Sequence, residues 1–298
     1  MIPIKTPGQR QTRGAIPSSA VKPWSWRFAG HFFTGAALLF TSLVSGCATL
    51  PGRVAEKVDE HRTEYVLVRN GPQVVVFENG LGAKLGNWDK VFSEISKNTT
   101  AFAYNRPGYG ASDPAATPRD GEHIVDELRA LLKNKGLQPP YVLVGHSAGG
   151  LYMQWFARRH PEEVAGLVLV DSTHPQHLQG KGSPEHWPGW VRAGFGILTT
   201  ASAQEELKLL NATGESVLAL PTFSGKPVMV LSALKPLSEH SETADYVNEK
   251  RRDVVNLYPG AKQLWVNSGH NIQRERPEAV IDAIRVVLGA AGKQVSQR

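Results

Sequence analysis

Tyr141-Val-Leu-Val-Gly-His-Ser-Ala-Gly-Gly-Leu151 is the stretch whose reading decides the fold. An apolar run leads into Gly145-His146-Ser147-Ala148-Gly149, and an apolar helix start follows. The pattern G-x-S-x-G is weak by itself; its place between a strand and a helix gives it meaning. The reason is steric. A serine on a sharp strand-to-helix turn is crowded by the residues two before and two after it, so both must lack a side chain. Such a turn lifts the hydroxyl clear of the backbone and sets it at a helix N-terminus, where N–H groups can meet an anion. The alternative is a glycine-rich turn with a bystander serine.

Working outward, apolar β-rich runs are expected at Tyr65–Val68, Gln73–Glu78, Thr100–Asn105, Gly166–Asp171, Val228–Ser232 and Gln263–Val266, beside Tyr141–Gly145. Most are continuous rather than alternating, which suits strands covered by helices on both faces. Helices are expected near Trp88–Ser96, Glu122–Lys135, Ala148–Arg159 and Pro277–Leu288. The second carries Ile124, Leu128 and Leu131 on one stripe, and Pro277 suits a first helical position. This alternation predicts an α/β domain over residues 64–292 with a mostly parallel central sheet. Residues 172–226 interrupt it with a segment rich in Pro, Gly and Trp and a short helix near Gln204–Leu210. An insertion that long over the sheet's carboxyl edge reads as a cap.

A serine hydroxyl needs a base to become a nucleophile. Of ten histidines, His146 neighbours Ser147 but points elsewhere on so tight a turn, and His123 and His160 fall on or at the end of helices. His270, in Asn267-Ser-Gly-His-Asn271, follows the last strand at the sheet's carboxyl edge, where Ser147 also sits and where open α/β sheets place their sites. A surface loop histidine is the alternative.

With these residues in place the chain resembles the α/β-hydrolase family over about residues 64–290. Glu78-Asn-Gly-Leu-Gly82 is similar to the family's loop after the third strand, and Asn105-Arg-Pro-Gly-Tyr-Gly-Ala-Ser-Asp113 to its D-R-P-G-x-G-x-S loop. The elbow, the Leu167–Asp171 strand and Gly269–Pro277 follow in family order. The resemblance implies that the cap at about 172–226 lies between the family's strands six and seven. It also implies an oxyanion hole made by the backbone N–H groups of Leu81 and Ala148. Asn79 and Asn105 stand where the family commonly has His and Asp. The loop after Val228–Ser232 has no Asp at the usual acid position and offers only Glu239, Glu242 and Asp245. Asp171 therefore becomes the expected triad acid, at the strand end that pancreatic-type lipases use; a structural strand-end Asp is the alternative.

The implied reaction is cleavage of a small-molecule carboxylic ester through a Ser147–His270–Asp171 triad, with no cofactor and no metal. Trp187, Trp190 and Phe195 in the cap point to an apolar acyl or alcohol group. Lactone, thioester or carbon–carbon hydrolysis and perhydrolysis are other reactions of the same triad. A non-catalytic lipoprotein that binds lipid or a partner is the competing class. Ser147 in the nucleophile position excludes the dehalogenase and epoxide-hydrolase chemistries, which need Asp there.

The N-terminus is a separate matter. Residues 1–46 carry Lys5, Arg10, Arg13, Lys22 and Arg27 and no acidic residue, which accounts for most of the formal charge of +6. The remainder is close to neutral, so no nucleic-acid partner is expected. A basic stretch, the apolar run Phe32–Val44 and then Val44-Ser-Gly-Cys47 resemble a bacterial lipoprotein signal, with cleavage before Cys47 and a diacylglycerol on its sulfur. Residues 47–63 read as a tether and 293–298 as a tail. An uncleaved membrane anchor is the alternative, though the 13-residue run is short of the ~20 that span a bilayer. Ala48 suits an outer-membrane destination in a two-membraned cell. Cys47 is the only cysteine, which excludes an intramolecular disulfide. Mass spectrometry of membrane fractions should find Cys47 diacylated and N-terminal, and Cys47→Ser should abolish both; an unmodified Cys47 in membranes contradicts the expectation.

Overall fold

The computed structural model describes residues 50–187, 189, 199–235 and 241–295. Eight strands form one sheet: β1 (Val54–Val58), β2 (His61–Arg69), β3 (Val74–Glu78), β4 (Thr100–Tyr104), β5 (Tyr141–His146), β6 (Val164–Val170), β7 (Val228–Ala233) and β8 (Lys262–Val266). Their spatial order is β1-β2-β4-β3-β5-β6-β7-β8, antiparallel at the β1-β2-β4 edge and parallel from β4 to β8. The expected doubly covered, mostly parallel sheet is what forms.

Its central strands β3 to β7 read as unbroken apolar runs because successive side chains enter two different cores. Val74, Val76, Leu143, Leu167 and Leu169 join one buried cluster, and Val75, Phe77, Val142, Val144 and Val168 join the other. The first is closed by α2 (Gly121–Asn134), α3 (Ala148–Arg159) and α4 (Ala201–Ala219). The second is closed by α1 (Asp89–Ile95), α6 (Ile272–Glu275) and α7 (Pro277–Val295). Helix α2 buries the expected Ile124, Leu128 and Leu131, and Asp120 caps it by accepting from the His123 N–H.

Four segments depart from the sequence reading. Residues 54–58, placed in the tether, pair with β2 across a tight turn in which Asp59 and Glu60 both have positive φ. Only Val58 of that strand is buried, so no apolar alternation betrays it. The cap helix runs over Ala201–Ala219, longer than Gln204–Leu210, with Thr200 accepting from the Ala203 N–H. The last helix continues to Val295, into the expected tail. Helix α5 (Glu242–Asp253) was not anticipated; its buried stripe is Ala244, Val247 and Arg251, and an arginine in the stripe hides the helical period. Cys47, Trp190, Phe195 and Glu239 lie outside the described residues.

One buried polar hub fixes the cap to the sheet. Arg106, in the loop after β4, grips Glu206 of α4 with two parallel bonds, Nε to Oε1 at 2.9 Å and Nη2 to Oε2 at 2.8 Å. Its Nη1 pairs with Glu78 at the end of β3, and all three side chains are buried. Tyr109 Oη donates to Glu206 and Tyr104 Oη to Glu78, so the carboxylates keep few unmet lone pairs. A buried charge is tolerable only when paired this completely, and removing one partner strands the others. Glu206→Ala should therefore cost about 3–5 kcal/mol of stability in denaturant unfolding; a loss below about 1 kcal/mol would show that the hub is not what holds α4.

Candidate active site

The elbow forms as its sequence requires. Ser147 has φ 54° and ψ −125°, a strained conformation for a residue with a side chain. A Cβ on Gly145 would come within 2.6 Å of the Gly150 Cα, and one on Gly149 within 2.4 Å of the Asn79 carbonyl oxygen. These obstacles are backbone atoms, so no rotamer change relieves them. The turn is pinned by bonds to the Ser147 carbonyl from the Gly150 N–H at 2.9 Å and the Thr173 N–H at 3.0 Å.

The loop after β3 lies directly on this turn. A Cβ at Gly80 would sit 3.1 Å from the Ser147 Cβ, so its glycine is what lets the loop approach. Arg106 holds the loop from behind, donating to the carbonyls of Asn79 at 2.6 Å and Gly80 at 3.1 Å. With those carbonyls turned toward the guanidinium, the following N–H groups are free to face the serine. The N–H groups of Leu81 and Ala148 donate no hydrogen bond among the described residues. Asn105 serves its loop with both ends of its amide: Oδ1 accepts from the Leu85 N–H and Nδ2 donates to Glu64.

Asp171 directly follows β6, and it too has positive φ, 44°. Its buried carboxylate receives His270 Nδ1 on Oδ2 at 2.6 Å and the Ala233 N–H on Oδ1 at 3.1 Å. Desolvation would raise its pKa, but the Arg251 guanidinium and His270 outweigh that and hold it well below the usual carboxylate range. Engagement of Nδ1 leaves His270 Nε2 as the nitrogen that can take a proton. No hydrogen bond joins Ser147 Oγ to His270 among the described residues, so this link is open while the His270–Asp171 link is closed. Such links commonly tighten only when substrate is bound. Of the other carboxylates considered for the acid, Glu242 and Asp245 lie in the first turn of α5, and Glu242 pairs with Lys181.

Two contributors were not legible as site residues. Arg251 ion-pairs with Asp171 Oδ1 from α5. His146 supports the His270 loop. Its Nε2–H donates to the His270 carbonyl at 3.1 Å, and the two rings lie 4.6 Å apart. Burial pushes the His146 pKa down to about 3. The one group of potential metal ligands among the described residues, His160, Glu162 and Glu163, lies just after α3, with Glu163 already gripped by Arg129.

A family model described as the alpha/beta hydrolase fold matches residues 73–274. The chain belongs to the α/β-hydrolase fold family. It is 26% identical over 230 residues to the uncharacterized protein YqjL of Bacillus subtilis (strain 168), covering 74% of this chain and 86% of that one. It is also 26% identical over 161 residues to the human (lyso)-N-acylphosphatidylethanolamine lipase, covering half of this chain and 45% of the relative. A thermophilic esterase from Thermogutta terrifontis superposes with a TM-score of 0.58 at 20% identity, covering 80% of this chain and 98% of that one. The protein is thus a hydrolase of the α/β fold.

This hydrolase should be acid-sensitive in a definite window. His146 and His174 are buried, and burial holds their pKa values at about 3 and about 4. In the unfolded chain both return to ~6.5. Between those values the unfolded state binds protons that the folded state does not, so stability rises with pH there. It is complete above ~6.5 and is lost as pH falls. The urea midpoint should decline steadily from pH 7 to pH 4, and less steeply in His146→Gln. Equal slopes in the two proteins would remove His146 from the account.

Proposed function

We propose that the protein is a serine hydrolase cleaving carboxylic esters through Ser147, His270 and Asp171. The observation that carries this reading is the 2.6 Å bond from His270 to the buried Asp171 carboxylate, at the sheet edge where the Ser147 elbow stands. A strained serine, a histidine after the last strand and a buried carboxylate oriented on its ring are three costly features that a binding protein does not need. The lipase and esterase among the similar proteins support the same class of bond.

In this mechanism His270 Nε2 takes the Ser147 proton as Oγ attacks the ester carbonyl carbon. The N–H groups of Leu81 and Ala148 receive the oxyanion, and Arg106 fixes the first of them through the loop carbonyls. Asp171 holds the tautomer with the proton on Nδ1 and stabilises the imidazolium. Collapse expels the alcohol, which takes the proton from His270. Water then attacks the acyl-enzyme with His270 again as base, releasing the carboxylic acid and regenerating Ser147.

For specificity we infer an apolar acyl or alcohol group. Trp187 packs against the core and donates to the Gly182 carbonyl, which makes it a structural tryptophan. The apolar reading then rests on Trp190 and Phe195 in the same segment. The N-terminal sequence supports attachment to a bacterial membrane through a lipid on Cys47, two acyl chains giving stable anchoring where one does not. Among the described residues no helix is long and apolar enough to cross a membrane.

Kinetics on p-nitrophenyl esters test the reading. Ser147→Ala should lower kcat by three orders or more, to within about 10³–10⁴ of the uncatalysed rate. Asp171→Asn should lower it by about 10⁴ with KM little changed. A nearly silent Asp171→Asn would return Asp171 to a structural role and move the acid elsewhere.

A further inference from the structure

Arg251 stands in an unusual place for a guanidinium. It lies on α5 with its side chain 93% buried, since 7% remains exposed, and it pairs with Asp171 Oδ1. Nη2 faces Asp171 Oδ1, and Nε and Nη1 have no hydrogen-bond partner among the described residues. Burying such a charge is expensive, and the Asp171 carboxylate is what compensates it. The two Asp171 oxygens are thereby divided. Oδ1 is shared by Arg251 and the Ala233 N–H, and Oδ2 belongs to His270 Nδ1.

We propose that Arg251 is a positioning residue for catalysis, a fixed cation that locks the Asp171 carboxylate and sets the acid edge of the pH range of activity. The inference rests on the triad reading above. In that triad the carboxylate attracts the proton that His270 acquires. A guanidinium on the far oxygen takes up part of that charge and repels a cationic imidazole. Both effects favour the ionised Asp171 carboxylate and disfavour a positive charge on the imidazole beside it.

Among the described residues Arg251 is the cation paired with Asp171. His146, from the end of β5, and His177, from the segment after β6, face the same cluster, and His174 lies beside His177. Burial holds all three neutral until pH falls to about 3 or about 4. Asp253 lies 3.6 Å from His174 Nε2, and Lys250 also acts on that ring; neither is paired with Asp171. Without Arg251 the desolvation of Asp171 would be opposed only by His270 and the Ala233 N–H.

The test is the pH profile of kcat/KM for ester cleavage by the full chain in wild type, Arg251→Gln and Arg251→Lys, with Ser147→Ala as baseline. Arg251→Gln should move the acid limb up by about one unit or more, with at least a tenfold loss on that limb and a much smaller one on the plateau. Arg251→Lys, which keeps the charge, should restore most of the shift. Arg251→Met, uncharged and of similar length, takes the same assay should the glutamine variant fail to fold. An acid limb that stays in place while activity falls evenly at all pH values would reduce Arg251 to a structural counter-charge. If instead Ser147→Ala is as active as wild type, the triad reading itself fails, an outcome separable from the first.

Discussion

The structure turns on one steric constraint: a serine must leave the centre of the sheet and enter a helix within a single residue. Strand β5 lies between β3 and β6, and α3 begins at the next residue after Ser147. Positive φ at Ser147 costs on the order of 1–3 kcal/mol, and bonds to its carbonyl from both following segments help to hold it. The missing side chains at Gly145 and Gly149 admit the helix on one side and the loop after β3 on the other. Strain at the serine and close approach of the loop are thus consequences of one turn. Arg106 extends that constraint outward, because the side chain that holds the loop carbonyls also grips Glu206 in the cap.

Charge is handled by pairing at two depths. Near the loop, Arg106 sits between Glu78 and Glu206, and burial pushes Glu78 up while the guanidinium opposes it. Behind the histidine, Asp171 sits between Arg251 and His270. Each hub links elements far apart in sequence: Arg106 and Glu206 are 100 residues apart, as His270 and Asp171 are 99. Such pairs add little net stability compared with an apolar core, yet they are costly to break singly, which favours one arrangement of the site.

The features that could be read from the sequence were those with a local steric or periodic cause. The elbow was legible because two glycines and a strand-helix junction admit few readings, and the buried strands because their apolar runs are continuous. Asp171 was singled out through the family resemblance once the loop after β7 offered no Asp at the usual position, and the structure places its carboxylate on His270 Nδ1. Strand β1 was not, since four of its five residues face solvent and its pairing is set by a turn. Helix α5 was not, because its inward stripe ends in a charged residue. Arg251 and Glu206 became visible only through partners distant in the chain, a kind of information that periodicity and spacing do not carry.

The central claim is that Ser147 becomes covalently acylated, and the most direct measurement is to locate the adduct of an active-site phosphonate. Wild-type protein treated with a fluorophosphonate, digested and mapped by mass spectrometry should carry one phosphonyl group, on the peptide containing Ser147. Labelling that proceeds equally well on another residue, or that persists undiminished in Ser147→Ala, would contradict the account.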